Sequence, residues 1–176
     1  GDGKPATLHA CLDPAMSATL RPLSAIRTLT GEEEGPKILA TLPVNTIQLD
    51  KIEGLGSIDW LILDNMNDSL AVLENGEKAL VDTLLIQARI NFQATHENQP
   101  ELTLISHWAA RHGFSFYRLN DPTHISHLPK RDDLVKQQAT QLASADALYV
   151  PNAERMTALT DNQRMKLAFV PVSYTH

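Results

Sequence analysis

Asp64 closes the apolar run Ile58-Asp59-Trp60-Leu61-Ile62-Leu63 and is followed within four residues by Asn65, Asn67 and Asp68. A carboxylate in that setting can orient a substrate hydroxyl or accept its proton, and neighbouring side-chain amides can hold the same ligand. Asn67 or Asp68 also suits the cap of a following helix, because its side-chain oxygen can accept from a free first-turn amide. Histidine is the second chemical resource, with His96, His107, His112, His124 and His127 falling between residues 96 and 127. His96, in the loop-like His96-Glu97-Asn98-Gln99-Pro100, can bind substrate or act as a base near neutral pH. His124-x-x-His127 with Asp121 and His96 offers ligands of the kind zinc or iron takes, but the spacing is unspecific and no metal is expected. The candidate catalytic residues are therefore Asp64 and His96, and the candidate substrate contacts are Asn65, Asn67, Asp68 and His124.

These residues need elements to position them. An unbroken apolar run ending in an acidic residue is how a strand covered on both faces reads. In open α/β sheets ligands meet the carboxyl ends of such strands, which is where Asp64 stands. A helix carrying Leu70, Val72 and Leu73 follows, with Gly76 as a left-handed stop and a further turn of helix over Glu77 to Val81. Thr83 to Ile90 reads as a second buried strand beside the first. Pro100 suits the first position of a helix with Leu102, Ile105 and Ala109 on one face, ended by Gly113. Phe114 to Leu119 alternates as a strand, His124 to Arg131 reads as loop, and Asp132 or Asp133 can cap a helix reaching Ala143. Ala147 to Val150 is the last strand, with short helices at Glu154 to Leu159 and Asp161 to Phe169. Two strands at Ala6 to Leu12 and Val44 to Ile47 flank a polar stretch containing the solvated run Glu32-Glu33-Glu34. Arg89 and Arg118 lie within strands, where an arginine implies an ion pair or a sheet end.

In this order the segments resemble FkbM-type S-adenosylmethionine (SAM) dependent methyltransferases. Trp60 to Leu73 is similar, without a gap, to that family's hydrophobic-Leu-Lys-Ile-Asp-Val-Glu-Gly-Ala-Glu-Leu-Glu-Val-Leu. Ser17 to Pro22, Thr46 to Ile52 and Leu84 to Pro100 resemble further family segments, and the helix ending in His112-Gly113-Phe114 completes the series. The resemblance implies an α/β fold: a partial Rossmann-like methyltransferase sheet of parallel strands plus an antiparallel last strand, flanked by helices. Its strand order would run from the Asp64 strand through the Leu84 and Ala147 strands to the Phe116 strand at the edge. It implies methyl transfer to oxygen, with SAM as cofactor and a small-molecule or glycan acceptor. The family's Lys, Glu, Gly and second Glu fall on Ile62, Met66, Asn67 and Ser69, so of the motif's charged residues Asp64 alone is retained. No Gly-x-Gly-x-x-Gly or Asp-x-Gly-x-Asn pattern occurs, and the cofactor-binding residues are not identified. The chain is thus expected to be the carboxyl-terminal part of such a domain within a longer polypeptide. Residues 1–50 would be lead-in strands and loop, 51–150 the α/β core and 151–176 a helical tail. SAM would bind only with the upstream half. The alternative is a catalytically degenerate module for binding or assembly. Without its neighbour, the Asp64 strand is expected to form a homodimer, to pair with the upstream half, or to be covered by the Ala6 and Val44 strands.

Composition narrows the function classes. With 176 residues and 43% hydrophobic content the chain can bury a core as a single domain. A net charge of -6 argues against a surface that tracks phosphates, and 5% aromatics do not interleave with basic residues, so no nucleic-acid partner is expected. No apolar run reaches the roughly 18 residues of a membrane span. The single cysteine, Cys11, excludes an internal disulfide, fits a reducing cytoplasm and reads as a buried, inert thiol. Serine-hydrolase, P-loop, zinc-ribbon and zincin motifs are absent.

Overall fold

The computed structural model describes residues 1–24, 35–64, 67–125 and 141–173, with side chains through residue 169. Asn65, Met66, the run Glu32-Glu33-Glu34, His127, Asp132 and Asp133 lie outside the described residues. Among the described residues the fold is mixed α/β, with one four-stranded sheet, one two-stranded sheet and short helices.

The main sheet contains β3 (Trp60–Leu63), β4 (Leu85–Asn91), β5 (Phe114–Ile125) and β6 (Gln141–Pro151), in the order β3-β4-β6-β5. β3 and β4 are parallel, whereas β6 runs antiparallel to both β4 and β5. This is the order and orientation expected of the four strands. The flanking helices are α1 (Ser69–Glu74), α2 (Leu102–Arg111), α3 (Ala153–Ala158) and α4 (Asp161–Ser173).

Even-numbered residues of β4 make the core, because side chains alternate across a strand. Ile86, Ala88 and Ile90, with Ala147 and Tyr149 of β6, pack against Leu73 of α1 and Ile105, Trp108 and Ala109 of α2. Each fully buried large side chain contributes about 2 kcal/mol. Asp68 caps α1, its Oδ1 accepting from the Ala71 amide at 3.1 Å. Gly113, at φ +78°, turns the chain from α2 into β5.

Several expectations are corrected. β3 is not covered on both faces: Ile62 is 57% exposed and only Leu63 of the strand is buried. A run of apolar residues reads the same whether its second face is covered or open. The lead-in strands do not cover β3. They are β1 (Pro5–Cys11) and β2 (Ile38–Asn45), and they pair antiparallel with each other in the separate sheet; β2 lies earlier than the expected Val44 to Ile47 and shares only Val44 and Asn45 with it. Thr46 clamps that pair by accepting from the Gly3 amide and donating to the Lys4 carbonyl.

Gly76 does not adopt a left-handed conformation. It is required by space, since a Cβ there would lie 2.8 Å from Leu49 Cδ2 and 3.0 Å from the Val72 carbonyl oxygen. Glu77 to Val81 forms turns rather than helix. Pro100 precedes the helix instead of opening it, because Glu101 takes the extended N-cap conformation. His124 belongs to β5, and residues 141–143 to β6, because the β5–β6 ladder continues past the expected strand ends through three irregularities in register.

Candidate functional site

The parallel register of β3 and β4 sets Leu63 beside Ala88, so the next residues, Asp64 and Arg89, come together where β3 ends and β4 has two residues left to run. They line two adjoining spaces. One is a small, partly open cavity of about 20 Å³ shared with Leu20, Asn67, Ser69 and His96. The other is an open cleft of about 440 Å³ whose wall is Pro14, Ala15 and Ser17, and whose floor includes Gln87 and Asp146. A third depression, of about 660 Å³, lies beyond His96 toward Phe92 and the start of α2.

The floor is a preorganised polar network. Arg89 Nη1 donates to Asp146 Oδ1 at 2.8 Å and Nη2 donates to Ser144 Oγ at 3.1 Å. Gln87 Nε2 donates to the other oxygen of Asp146 at 2.7 Å. β4–β6 pairing opposes Arg89 to Asp146 and Asn91 to Ser144, which explains why these distant residues meet. With Asp64 nearby, two carboxylates accompany one guanidinium. This balance disfavours an anionic ligand and suits a neutral one bearing hydroxyl groups.

Asp64 itself is exposed at the mouth, and the Ser69 hydroxyl lies 3.5 Å from its carbonyl oxygen. His96 is 5% exposed, and both ring nitrogens are engaged. Nε2 lies 3.0 Å from the Met16 carbonyl, and Nδ1 lies 2.9 Å from Thr95 Oγ1. A carbonyl only accepts, so Nε2 carries the hydrogen. Burial pushes the His96 imidazole below its ordinary range, partly offset by the Met16 bond, while the nearby His9 adds a smaller effect in the same direction as burial.

The structure thus brings Asp64, Asn67 and His96 to one cavity. Asp68 is spent on capping α1. His124 is exposed on edge strand β5, three strand spacings from β3, or about 14 Å at about 4.8 Å each. It does not share the site. Among the described residues no group of three or more His, Cys, Asp or Glu is placed to hold a metal, and no helix is long and apolar enough to cross a membrane.

The sequence left Arg89 either an ion pair or a sheet-end position and named no partner for it, and it gave no role to Gln87, Asp146 or Ser17. The available signal was polar residues interrupting apolar strands, as Asp146 does between Ala145 and Ala147. No family model, curated protein or solved structure matches the chain.

Proposed function

We propose that this chain is the acceptor-binding part of an FkbM-like methyltransferase domain that methylates a hydroxyl of a neutral, hydroxyl-rich small molecule or glycan. The observation that supports it most is the placement of Asp64 at the carboxyl end of β3, beside Arg89 near the end of the parallel strand β4. These strands belong to a sheet whose fourth strand in sequence is inserted antiparallel before the third. Ligands of open α/β sheets bind at that end.

In this reading Asp64 receives the acceptor's hydroxyl proton as the oxygen attacks, Arg89 and Gln87 hold neighbouring hydroxyls, and Pro14, Ala15 and Ser17 limit the acceptor's reach. His96 is committed to internal hydrogen bonds and supports the wall.

The described residues do not fit SAM. No glycine lines any of the three spaces, so no backbone cradle can approach the cofactor. The cofactor would be held by sequence outside these residues. The degenerate binding module is the second reading, favoured by the commitment of both His96 nitrogens.

Methyl transfer from labelled SAM to a panel of polyols and glycans tests the proposal with the full-length gene product. Transfer is expected, with Asp64→Asn lowering kcat by about 100-fold while the fold is retained. Acceptor binding that survives without any transfer in the wild type would favour the binding module. Transfer unaffected by Asp64→Asn would overturn the assignment of the site.

A further inference from the structure

We propose that residues 14–23 form a strap over the Asp64–Arg89 cleft whose seat is latched by the neutral imidazole of His96, making access to the cleft sensitive to pH. Pro14, Ala15 and Ser17 wall the cleft, and Leu20 closes the smaller cavity, so movement of this one segment opens both. On one side the strap rests on β1, where His9 and Ala18 exchange backbone hydrogen bonds at 2.9 and 3.3 Å and Ser17 Oγ accepts from the Cys11 amide. On the other side it is tied to the loop before α2. There the Leu23 amide donates to the Thr95 carbonyl at 2.9 Å and the Glu97 amide donates to the Arg21 carbonyl at 2.8 Å. His96 adds the side-chain bond from that loop to the Met16 carbonyl.

Burial selects the neutral ring. Nε2 gives its hydrogen to the Met16 carbonyl, and Nδ1 faces Thr95 Oγ1, whose single hydrogen is directed to Gln99 Oε1 at 2.7 Å. A proton added to Nδ1 would place a cation on a ring with almost no access to water. The charged or titratable groups around the ring are His9 from β1, Arg21 on the strap, Glu97 beside it, and Asp64, Arg89 and Glu101 lining the spaces it borders. His9, Arg21 and Arg89 oppose the cation, and Asp64, Glu97 and Glu101 favour it. Released from its seat, His96 is an ordinary imidazole titrating near 6.5.

The seated state therefore binds fewer protons than the released state. The latch is fully made above about pH 6.5 and weakens as pH falls below it. One linked proton limits the effect to about tenfold per pH unit.

Hydrogen exchange of the strap and of α2, followed by mass spectrometry from pH 8 to 5 and corrected for intrinsic rates, tests the proposal. Strap protection is expected to fall about tenfold between pH 6.5 and 5.5 while α2 stays protected. In His96→Gln, whose amide can still donate to Met16, strap protection is expected to be flat with pH. Nitrogen-15 NMR of the wild-type imidazole should show the Nε2–H form at pH 7.5, leaving that form as the strap exposes. Strap protection that is independent of pH, or that falls equally in His96→Gln, overturns the proposal. Should that variant not fold, an imidazole titration out of step with strap exposure does so in the wild type alone. The measurement reads exchange rather than turnover, so its outcome is separate from that of the methyltransferase reading.

Discussion

Replacing Arg155 should damage this fold more than replacing any other solvent-reaching charge, because its guanidinium ties the far end of β4 to α3 and to the α2–β5 turn. Nη2 donates toward the carbonyls of Leu80, Val81 and Thr83 at 2.9, 2.6 and 2.9 Å, and Nη1 donates to the His112 carbonyl at 3.0 Å. The planar group also lies 4.2 Å from the centre of the Phe114 ring. Burial lowers the pKa of this guanidinium and Asp82 opposes that shift, but an arginine stays charged throughout the usable pH range. The two hydrogens on Nη2 are shared among three carbonyls, so the four distances do not count as four independent bonds.

Hydrogen bonds to a charged donor are worth about 1.5 to 3 kcal/mol each. Water can replace the donor at the Val81 carbonyl, whose residue is 65% exposed, and reduces the net loss there. Arg155→Ala is therefore expected to cost about 3 kcal/mol, which lowers Tm by about 6 to 12 °C in a chain of this size. Arg155→Lys keeps the charge and loses the planar fork, and should cost about half as much. Urea unfolding of the three proteins, with m-values compared to verify a common transition, measures both effects. A loss below about 1 kcal/mol in Arg155→Ala with an unchanged m-value would show that the carbonyls are satisfied without the guanidinium.

Gly76→Ala should destabilise by about 1 to 3 kcal/mol, since the new methyl meets Leu49 and the Val72 carbonyl, whereas Gly56→Ala has open space and should change stability by less than about 1 kcal/mol. Denaturant midpoints of the two variants separate these outcomes. Asp146→Ala should cost about 2 kcal/mol by leaving Arg89 and Gln87 without their shared carboxylate. A double-mutant cycle with Arg89→Met should return a coupling near 1 kcal/mol, and zero coupling would refute the network. Cys11 is 5% exposed and burial raises its thiol pKa, so its labelling by a disulfide reagent at pH 8 should be slow and should become fast once the protein is unfolded in urea.

The elements of the main sheet were legible because their signals are local. Leu61 to Leu63 and Ala147 to Val150 are apolar runs, Leu85 to Ile90 is apolar apart from Gln87 and Arg89, Asp68 is a capping residue before Leu70, and Gly113 supplies the positive φ after α2. These depend on side-chain chemistry within a few residues, which is where backbone hydrogen-bond needs are met. The pairing of β1 with β2, instead of with β3, was not legible, because either arrangement satisfies the same ladder groups. The extension of β5 to His124 was equally hidden, since it depends on bulges opposite a strand that starts at Gln141.

The site divides in the same way. Asp64 could be placed at a strand's carboxyl end from the residues around it. His96 was identifiable as chemically capable, but its burial and its bond to Met16, 80 positions earlier, come from two segments meeting over the sheet. The same is true of Arg89 and Asp146, 57 positions apart. Sequence by itself therefore determined the central strands of the main sheet, the helices that flank them and that an acidic residue ends β3. Only the tertiary structure decided that His96 latches a strap and that Asp146 holds Arg89, because both depend on which distant backbones share a register and exclude water together.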